Sequence, residues 1–382
     1  MSKTTAMNEE LASIAGLPEF SAQCLPGHFY TSAEYFAYEV EKFLSKEWHC
    51  LGRADEVARP GDYFTTTLLN EPLLVVRGDD QRIRVLSNVC RHRGMPLAEG
   101  SGSTRRFVCS YHAWSYNRDG KLANAPRMRD KGVTPDTCRL PEFRSEIWNG
   151  FIYVNLDDDA LPLAPKLQRL EHLLQNYQTA EMRIVHVVEE EWRTNWKCLV
   201  ENFMEAYHLS IVHPETLHPY TPTGLSRKSM SDDAFTSYCA NYPDDIPSRG
   251  SGAPTLTEEE RKRSTLFCLF PAQVASQAAS LLVSFSLQPV AVDLIRVRWT
   301  MSTFGDELTK DEIDQRIALW NEVNREDREK LEKMQKALGS RHAPSGPLAP
   351  KDYEGTIWDF YRYLARKVAP PPVMKLAAGI GA

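Results

Sequence analysis

The sequence lacks the features that would place it in several common classes of protein. Its 45 basic and 51 acidic side chains give a net charge of -6, so no positive excess indicates nucleic-acid binding. The longest apolar stretch, about Leu266 to Leu294, is interrupted by Pro271 and Pro289, whereas a membrane span needs about 18 uninterrupted apolar residues. The N-terminus shows no apolar signal segment. No Gly-x-Gly-x-x-Gly follows a strand-like run, so electrons from a nicotinamide would have to arrive from another protein.

Cysteines are few, and most of them have no paired spacing. Six of the eight are scattered, which is typical of small buried hydrophobic residues rather than disulfides. Cytosolic proteins keep such thiols reduced, so we expect a cytoplasmic protein. The length of 382 residues allows two domains. The scattered residues are Cys24, Cys50, Cys138, Cys198, Cys239 and Cys268.

The other two cysteines belong to the most informative motif. Cys90-x-His92 is followed, after sixteen residues, by Cys109-x-x-His112. Two thiolates and two imidazoles are the ligands of a Rieske [2Fe-2S] cluster, in which the cysteines hold one iron and the histidines hold the other. The sequences Arg-Gly-Met-Pro and Asn-Arg-Asp-Gly follow the two pairs and are typical of hairpin turns. The motif therefore predicts a protein that transfers single electrons.

A Cys2His2 zinc site is the main alternative for these ligands. Zinc fingers usually pair Cys with Cys and His with His, on a hairpin and a helix. Here each pair mixes the two residue types, which favours the cluster over zinc.

Hydrophobic periodicity divides the chain into two regions. Short alternating runs between about residues 50 and 156 predict a small antiparallel β domain that contains the cluster motif, with Gly100 to Ser103 as a flexible link. Beyond it the pattern is mixed. The other predicted elements are a helix at 32–48 capped by Ser32, helices at 196–209 and 310–338, strands at 184–188, 279–288 and 292–301, and a loop at 226–263.

A second group of metal-ligand residue types lies in the helix predicted at 196–209. Glu201, Glu205 and His208 are spaced i, i+4 and i+7, and His213 stands just before a proline that ends the helix. Two histidines and one carboxylate form the facial triad of non-haem Fe(II) oxygenases, which leaves positions open for O2 and substrate. A single helical histidine is more often a surface group. The upstream motif favours a metal site because an electron donor needs an acceptor.

Together, the two motifs resemble the catalytic α subunit of the Rieske non-haem iron oxygenases, from about residue 43 to about residue 364. The resemblance implies an α+β fold, with a small antiparallel β Rieske domain and a helix-grip catalytic domain built on an antiparallel sheet. It also implies a head-to-tail α3 ring. The expected divisions are an N-terminal helical segment at 1–45 that packs on the catalytic domain, a Rieske domain at 46–158 and a catalytic iron domain at 159–382.

The resemblance also supplies the third iron ligand. The family pattern Glu-Asp-x4-Glu-x2-Gln fits Glu326 to Gln335 and selects Asp327, to be joined by His208 and His213. Acidic residues are common on solvated helices, so only the spacing identifies Asp327.

Two further residues receive roles from the resemblance. Glu205 is expected to bridge the sites by bonding His208 and a cluster histidine, His112, of the adjacent subunit. Asn202 is expected near the iron, although an ordinary helix-surface amide fits the sequence equally well. The family more often has aspartate at the position of Glu205, and glutamate there resembles the branch that oxidises carnitine and glycine betaine.

The activity implied by the resemblance is that of a terminal oxygenase. It takes electrons from a separate NAD(P)H-dependent flavin and iron–sulfur reductase and uses O2 to hydroxylate or demethylate a small organic substrate, a quaternary ammonium compound being one class. An aromatic carboxylate is an alternative substrate, and a simple Rieske electron carrier is an alternative function, although roughly a hundred residues would suffice for a carrier. Tyr220 would favour a cation and Arg227 a carboxylate.

Overall fold

A computed structural model describes residues 2–128, 131–248, 250–305, 308–343 and 345–368. Within them lie two antiparallel sheets of seven strands each, one three-stranded sheet, and helices that pack mainly on the second large sheet. This architecture confirms the predicted α+β class. Residues 369–382 of the predicted catalytic domain lie outside the described residues.

The first half of the chain forms one large sheet, in the order β1-β10-β9-β4-β3-β2-β5, and the small sheet β6-β7-β8. Leu69 and Asn70 both have positive φ, as a two-residue type I′ turn requires, and they join β2 to β3. The strands are β1 (His49–Arg53), β2 (Asp62–Leu68), β3 (Glu71–Arg77), β4 (Ile83–Ser87), β5 (Ser101–Ser103), β6 (Phe107–Val108), β7 (Ser115–Tyr116), β8 (Leu122–Asn124), β9 (Glu142–Trp148) and β10 (Phe151–Asn155).

The predicted flexible link at Gly100 to Ser103 is wrong. Ser101–Ser103 forms the edge strand β5, in which Gly102 pairs with Tyr63 of β2. Backbone pairing orders this segment although its side chains are small and exposed.

The second sheet has the order β11-β17-β16-β15-β14-β13-β12, so consecutive strands from β12 onward form a meander and β11 closes it beside β17. The strands predicted at 184–188, 279–288 and 292–301 lie largely within β11, β16 and β17. The strands are β11 (Arg183–Trp192), β12 (Ser226–Lys228), β13 (Phe235–Asn241), β14 (Arg263–Leu269), β15 (Gln273–Gln277), β16 (Leu281–Ala291) and β17 (Leu294–Thr303).

The loop predicted at 226–263 is wrong in part, because β12, β13 and a short helix form within it. β13 lies between β12 and β14 and is buried over six of its seven residues. A strand buried on both faces has no alternating pattern, so its polar flanks dominated the sequence signal.

The helices cover the second sheet and supply about half of the buried residues of the large catalytic-half core. The prediction for 310–338 is confirmed, and Ser32 does cap α3, which ends at Lys42, earlier than predicted. The helices are α1 (Lys3–Ala15), α2 (His28–Thr31), α3 (Ala33–Lys42), α4 (Gln168–Leu174), α5 (Trp196–Phe203), α6 (Leu209–Val212), α7 (Glu258–Arg261), α8 (Lys310–Leu338) and α9 (Lys351–Val368).

The helix α1 lies in the N-terminal segment that was predicted to be helical, whereas α9 was not predicted, and the two pack against each other. The N-terminal residues thus share a hydrophobic core with the catalytic half, while the division at residue 45 stays a prediction. None of the helices among the described residues is long and apolar enough to cross a membrane.

A buried ion pair fastens α3 to α5. Lys197 Nζ lies 2.8 Å from each carboxylate oxygen of Glu39, and the two side chains are 1% and 2% exposed. Burial raises the pKa of Glu39, and the nearby ammonium opposes that rise. This ion pair therefore anchors α5, the helix that precedes Glu205 and His208.

Candidate metal centres

The segment after α5 leaves the helix before it reaches the predicted metal ligands. Asn195 caps α5 through a 3.0 Å bond from the Lys197 N–H, and the helix ends at Phe203. The predicted common helix face of Glu201, Glu205 and His208 is therefore wrong. Glu201 lies on α5 but accepts a 2.8 Å hydrogen bond from the hydroxyl of Tyr30, whereas Glu205 lies beyond the helix end.

Glu205 organises the turn that follows. Its carboxylate accepts the backbone N–H groups of Tyr207 and of His208, the latter at 3.1 Å, and contacts Nδ1 of the His208 ring. The contact at Nδ1 leaves Nε2 of His208 to face the remaining ligands. A carboxylate that holds a ligand histidine in this way fixes its tautomer and its ring orientation.

Three potential metal ligands converge below this turn. One ligand atom from each of His208, His213 and Asp327 lies within 4.8 Å of the others. The Asp327 Oδ1 atom is 3.1 Å from Nε2 of His213 and 3.6 Å from Nε2 of His208. The Nε2 atom of His213 is buried without a hydrogen-bond partner, as expected for a nitrogen whose lone pair serves a metal.

A second carboxylate orients His213. Glu326 Oε2 lies 2.7 Å from Nδ1 of His213 and also accepts the Thr216 hydroxyl at 2.8 Å. The two adjacent residues of α8 thus have different roles: Asp327 is one of the three converging ligand residues, and Glu326 orients the imidazole ring of His213. The family pattern includes Glu326, but it did not reveal this role, because the partners of Glu326 come from a distant segment.

Asn202 also lies at this group. Its Nδ2 donates to Asp327 Oδ1 at 3.1 Å and lies 3.5 Å from Nε2 of His208. The alternative reading of Asn202 as an ordinary helix-surface amide does not hold, because its side chain is partly buried among the potential metal ligands.

The charges around His208 suit a divalent cation. Burial lowers the pKa of His208, but the carboxylates of Glu205, Asp327 and Glu354 outweigh it and raise the pKa to about 9. These carboxylates favour a positive charge at His208. In the metal-free protein a proton on the imidazole supplies that charge, and a divalent metal ion would replace the proton. Two imidazoles and one carboxylate fit a non-haem iron.

The Rieske motif residues lie on two adjacent loops. Cys90 and Cys109 are buried, the rings of His92 and His112 are 4.7 Å apart, and His112 is exposed at the tip. Met95 C=O accepts the Cys90 N–H at 2.9 Å, so the predicted turn closes the first loop. The Nδ1 atom of His92 is buried without a hydrogen-bond partner, which fits a ligand nitrogen.

Aromatic residues support these loops. Trp114 stacks on His92 with centroids 4.9 Å apart, and the Tyr116 hydroxyl lies 3.4 Å from Cys90 Sγ. The same hydroxyl accepts the Arg91 N–H at 3.0 Å. Thiolates on one side and imidazoles on the other are the donor set that a [2Fe-2S] cluster of this type needs.

A cavity of about 30 Å³ lies between the second sheet and α8, lined by residues that include Leu209, Leu217, Tyr238, Leu266 and Trp320. Leu209 follows the ligand His208 directly, so the cavity adjoins the converging ligands. Thr221 and Ser276 also line this cavity.

Tyr220 and Arg227 do not line that cavity. Arg227 donates from Nη1 to the carbonyl groups of Gly224 and Ser226, at 3.0 and 2.6 Å, and is exposed. The two residues therefore do not decide between a cationic and a carboxylate substrate.

Family models match both halves of the chain. The Rieske [2Fe-2S] domain matches residues 47–144, and the ring hydroxylating alpha subunit (catalytic domain) matches residues 179–370. The chain belongs to the ring-hydroxylating α subunits. Its two domains imply a Rieske cluster and a mononuclear iron as the cofactors.

The similar proteins include oxygenase subunits of two monooxygenases. The chain is 32% identical to the carnitine monooxygenase oxygenase subunit of Acinetobacter pittii over 197 residues, which are 50% of this chain and 53% of the relative. It is 32% identical to the glycine betaine monooxygenase oxygenase subunit of Chromohalobacter salexigens over 198 residues, 51% of this chain and 44% of the relative. The chain thus matches about half the length of these relatives.

The likeness to solved structures extends further along the chain. A quaternary ammonium Rieske monooxygenase, described for carnitine oxidation and inter-subunit electron transfer, superposes with a TM-score of 0.81 at 26% identity. The superposition covers 92% of this ring-hydroxylating α subunit and 98% of that chain.

Proposed function

We propose that this chain is the oxygenase component of a Rieske monooxygenase that hydroxylates or demethylates a small quaternary ammonium compound. The observation that carries the proposal is the convergence of His208, His213 and Asp327 within 4.8 Å, in a chain that also brings Cys90, His92, Cys109 and His112 to adjacent loops. The relatives that oxidise carnitine and glycine betaine supply the substrate class.

The residues of the second site have two roles: three would bind the iron, and three orient the side chains that bind it. His208, His213 and Asp327 would hold the iron from one side, while Glu205, Glu326 and Asn202 orient them. When bound, the iron would supply O2 activation with two electrons, delivered singly through the cluster. The balance is one substrate C–H bond, O2, two electrons and two protons, which give one C–OH group and water. If the hydroxylated carbon is bound to nitrogen, its C–N bond then breaks to release an amine and a carbonyl product.

The exposed surfaces support electron transfer between subunits of an α3 ring. The cluster tip presents His112 together with Tyr111, which is 56% exposed. Beside the iron ligands, Tyr207 is 58% and Ile211 is 83% exposed, forming an apolar surface next to Glu205. Exposed apolar groups of this kind mark interaction sites. A second copy of this chain would bring its His112 to Glu205, as the inter-subunit electron transfer described for the structural relative supports.

The remaining partners follow from the same chemistry. Because the sequence shows no dinucleotide-binding motif, a separate NAD(P)H-dependent reductase with flavin and iron–sulfur groups would reduce the cluster. We also propose a cytoplasmic location, where the six cysteines outside the cluster motif would remain reduced.

The test combines the purified chain, reconstituted with iron and cluster, with a surrogate reductase and NADH. Carnitine, glycine betaine and choline are supplied in turn, and O2 uptake, formaldehyde and released amine are measured. We expect one of them to couple NADH oxidation to product. The matched control is Asp327→Ala, which should keep the cluster spectrum and make no product. Coupled turnover of an aromatic carboxylate, with none of any ammonium compound, would refute the proposed substrate class.

A further inference from the structure

The cavity beside the iron ligands contains an unused hydrogen-bond donor. Trp320 lines the cavity, is 5% exposed, and its indole Nε1 is buried without a hydrogen-bond partner. An indole N–H can only donate, and a buried donor without an acceptor is costly to the fold. A ligand that supplies an oxygen acceptor would remove that cost.

A second unpaired donor lies one helical turn nearer to the iron ligand. Asn324 is 4% exposed, and its Nδ2 is also buried without a hydrogen-bond partner. Trp320, Asn324 and Asp327 are spaced i, i+4 and i+7, so they share one face of α8. The helix face that carries Asp327 therefore also carries these two N–H groups; Trp320 lines the cavity, whereas Asn324 lies outside its lining.

Three of the other four polar side chains of the cavity already have hydrogen-bond partners, and the fourth is Ser276. The Tyr238 hydroxyl donates to the carbonyl groups of Phe203 and Glu205, each at 3.5 Å. The Thr221 hydroxyl donates to the Leu217 carbonyl at 3.2 Å, and the Ser264 hydroxyl is bonded to that of Tyr242 at 2.9 Å. None of the described lining residues is a lysine or an arginine. A carboxylate in this cavity would thus be bound by neutral donors, and its charge would have to be balanced by a cation within the same ligand.

We infer that Trp320 is the specificity determinant that selects substrates bearing a carboxylate or carbonyl oxygen, bound by its N–H group in the cavity, with the N–H of Asn324 as a second donor on the same face of α8. The inference rests on the proposed function, which supplies the cationic end of the substrate. A zwitterion, with an ammonium group and a carboxylate, satisfies both conditions: its oxygen end would enter the cavity, whose volume of about 30 Å³ admits only a small group, and its ammonium end would stay outside. An alkylammonium ion without an oxygen leaves both donors unpaired.

The experiment compares two probes that differ only in the acceptor, γ-butyrobetaine and butyltrimethylammonium. Wild type should prefer γ-butyrobetaine, both in KM and in the rise of Tm that each probe causes in the iron-loaded, oxidised protein without reductase. Trp320→Phe should raise KM for γ-butyrobetaine by roughly 10-fold, as the loss of one hydrogen bond to a charged group predicts. Its KM for butyltrimethylammonium should stay unchanged.

Trp299→Phe is the matched control. The Nε1 of Trp299 is likewise buried without a partner, but Trp299 does not line the cavity. This variant should keep the wild-type preference between the probes. If Trp320→Phe does not fold, Asn324→Leu removes the second donor at similar volume and should reduce the same preference.

The outcomes separate this inference from the proposed function. An unchanged preference in folded Trp320→Phe, with both probes bound, overturns the inference and leaves the proposed function standing. If wild type neither binds nor converts either probe, the ammonium class is wrong, and hexanoate and hexanamide replace the probes. A Tm rise with these that Trp320→Phe abolishes would retain the donor role, and the lack of such a rise would overturn it.

Discussion

Replacing Glu205 by glutamine should slow electron transfer between the two metal centres without removing either centre. The carboxylate receives three hydrogen bonds, from two backbone N–H groups and from the His208 ring. The glutamine amide has one acceptor oxygen, so at least one of these donors would face an NH2 group and lose its partner. An unpaired buried donor costs about 1–3 kcal/mol. At about 1.4 kcal/mol per factor of ten, turnover should fall roughly 10- to 100-fold.

The assay for Glu205→Gln is single turnover with a pre-reduced cluster, mixed rapidly with substrate and O2. Iron content and the cluster spectrum should match wild type, while cluster reoxidation slows by the factor given above. Glu201→Gln is the matched control, because burial raises the pKa of Glu201 to about 8, so that its carboxyl is largely protonated at neutral pH and resembles an amide. A wild-type reoxidation rate in Glu205→Gln would mean that electrons take another path.

Three further changes test other parts of the structure. Cys109→Ser should remove the visible absorption of the cluster, since a hydroxyl is a poor ligand for this iron; a retained spectrum would refute the ligand assignment. Asp327→Ala should lose the mononuclear iron at all iron concentrations, whereas Glu326→Ala should weaken iron binding roughly 10- to 100-fold and recover with excess Fe(II); the reverse order, measured by iron analysis, would exchange the two roles. Lys197→Met should lower the free energy of unfolding in urea by about 3–5 kcal/mol, because it leaves Glu39 buried without its partner. Lys333→Met, at an exposed pair on α8, should change it little, and equal losses in the two variants would contradict this account.

The sequence could predict the residues that converge at the two sites because their spacing is local. The pairs Cys90 with His92 and Cys109 with His112 each lie in one short turn, and the place of Asp327 on α8 follows from a pattern within a single helix. The same holds for α8 itself, whose predicted bounds are those observed. Such features depend on neighbours in the chain, which a single sequence displays.

The position of Glu205 depends on residues that are far away in the chain, and there the prediction failed. No glycine or proline follows Phe203 to end the helix. Instead the Ala206 N–H bonds to the Tyr353 carbonyl at 3.0 Å, and Thr356 donates to the carbonyl of Met204. Contacts from α9 thus draw the segment off the helix axis. Helical spacing cannot reveal contacts that the rest of the fold imposes.

The helix α9 has a consequence for assembly. Its first turns hold the segment that carries Glu205, and near its far end Lys367 pairs with Glu47, just before the first strand of the Rieske half. Eighteen helical residues make a strut of about 27 Å. In the head-to-tail ring that we propose, each subunit would place its cluster beside the iron site of one neighbour and accept the other neighbour's cluster beside its own iron site. The length of α9 would then set the distance between the Rieske half of a subunit and its segment that carries Glu205. A fixed distance within each subunit would keep errors of position from accumulating around the ring.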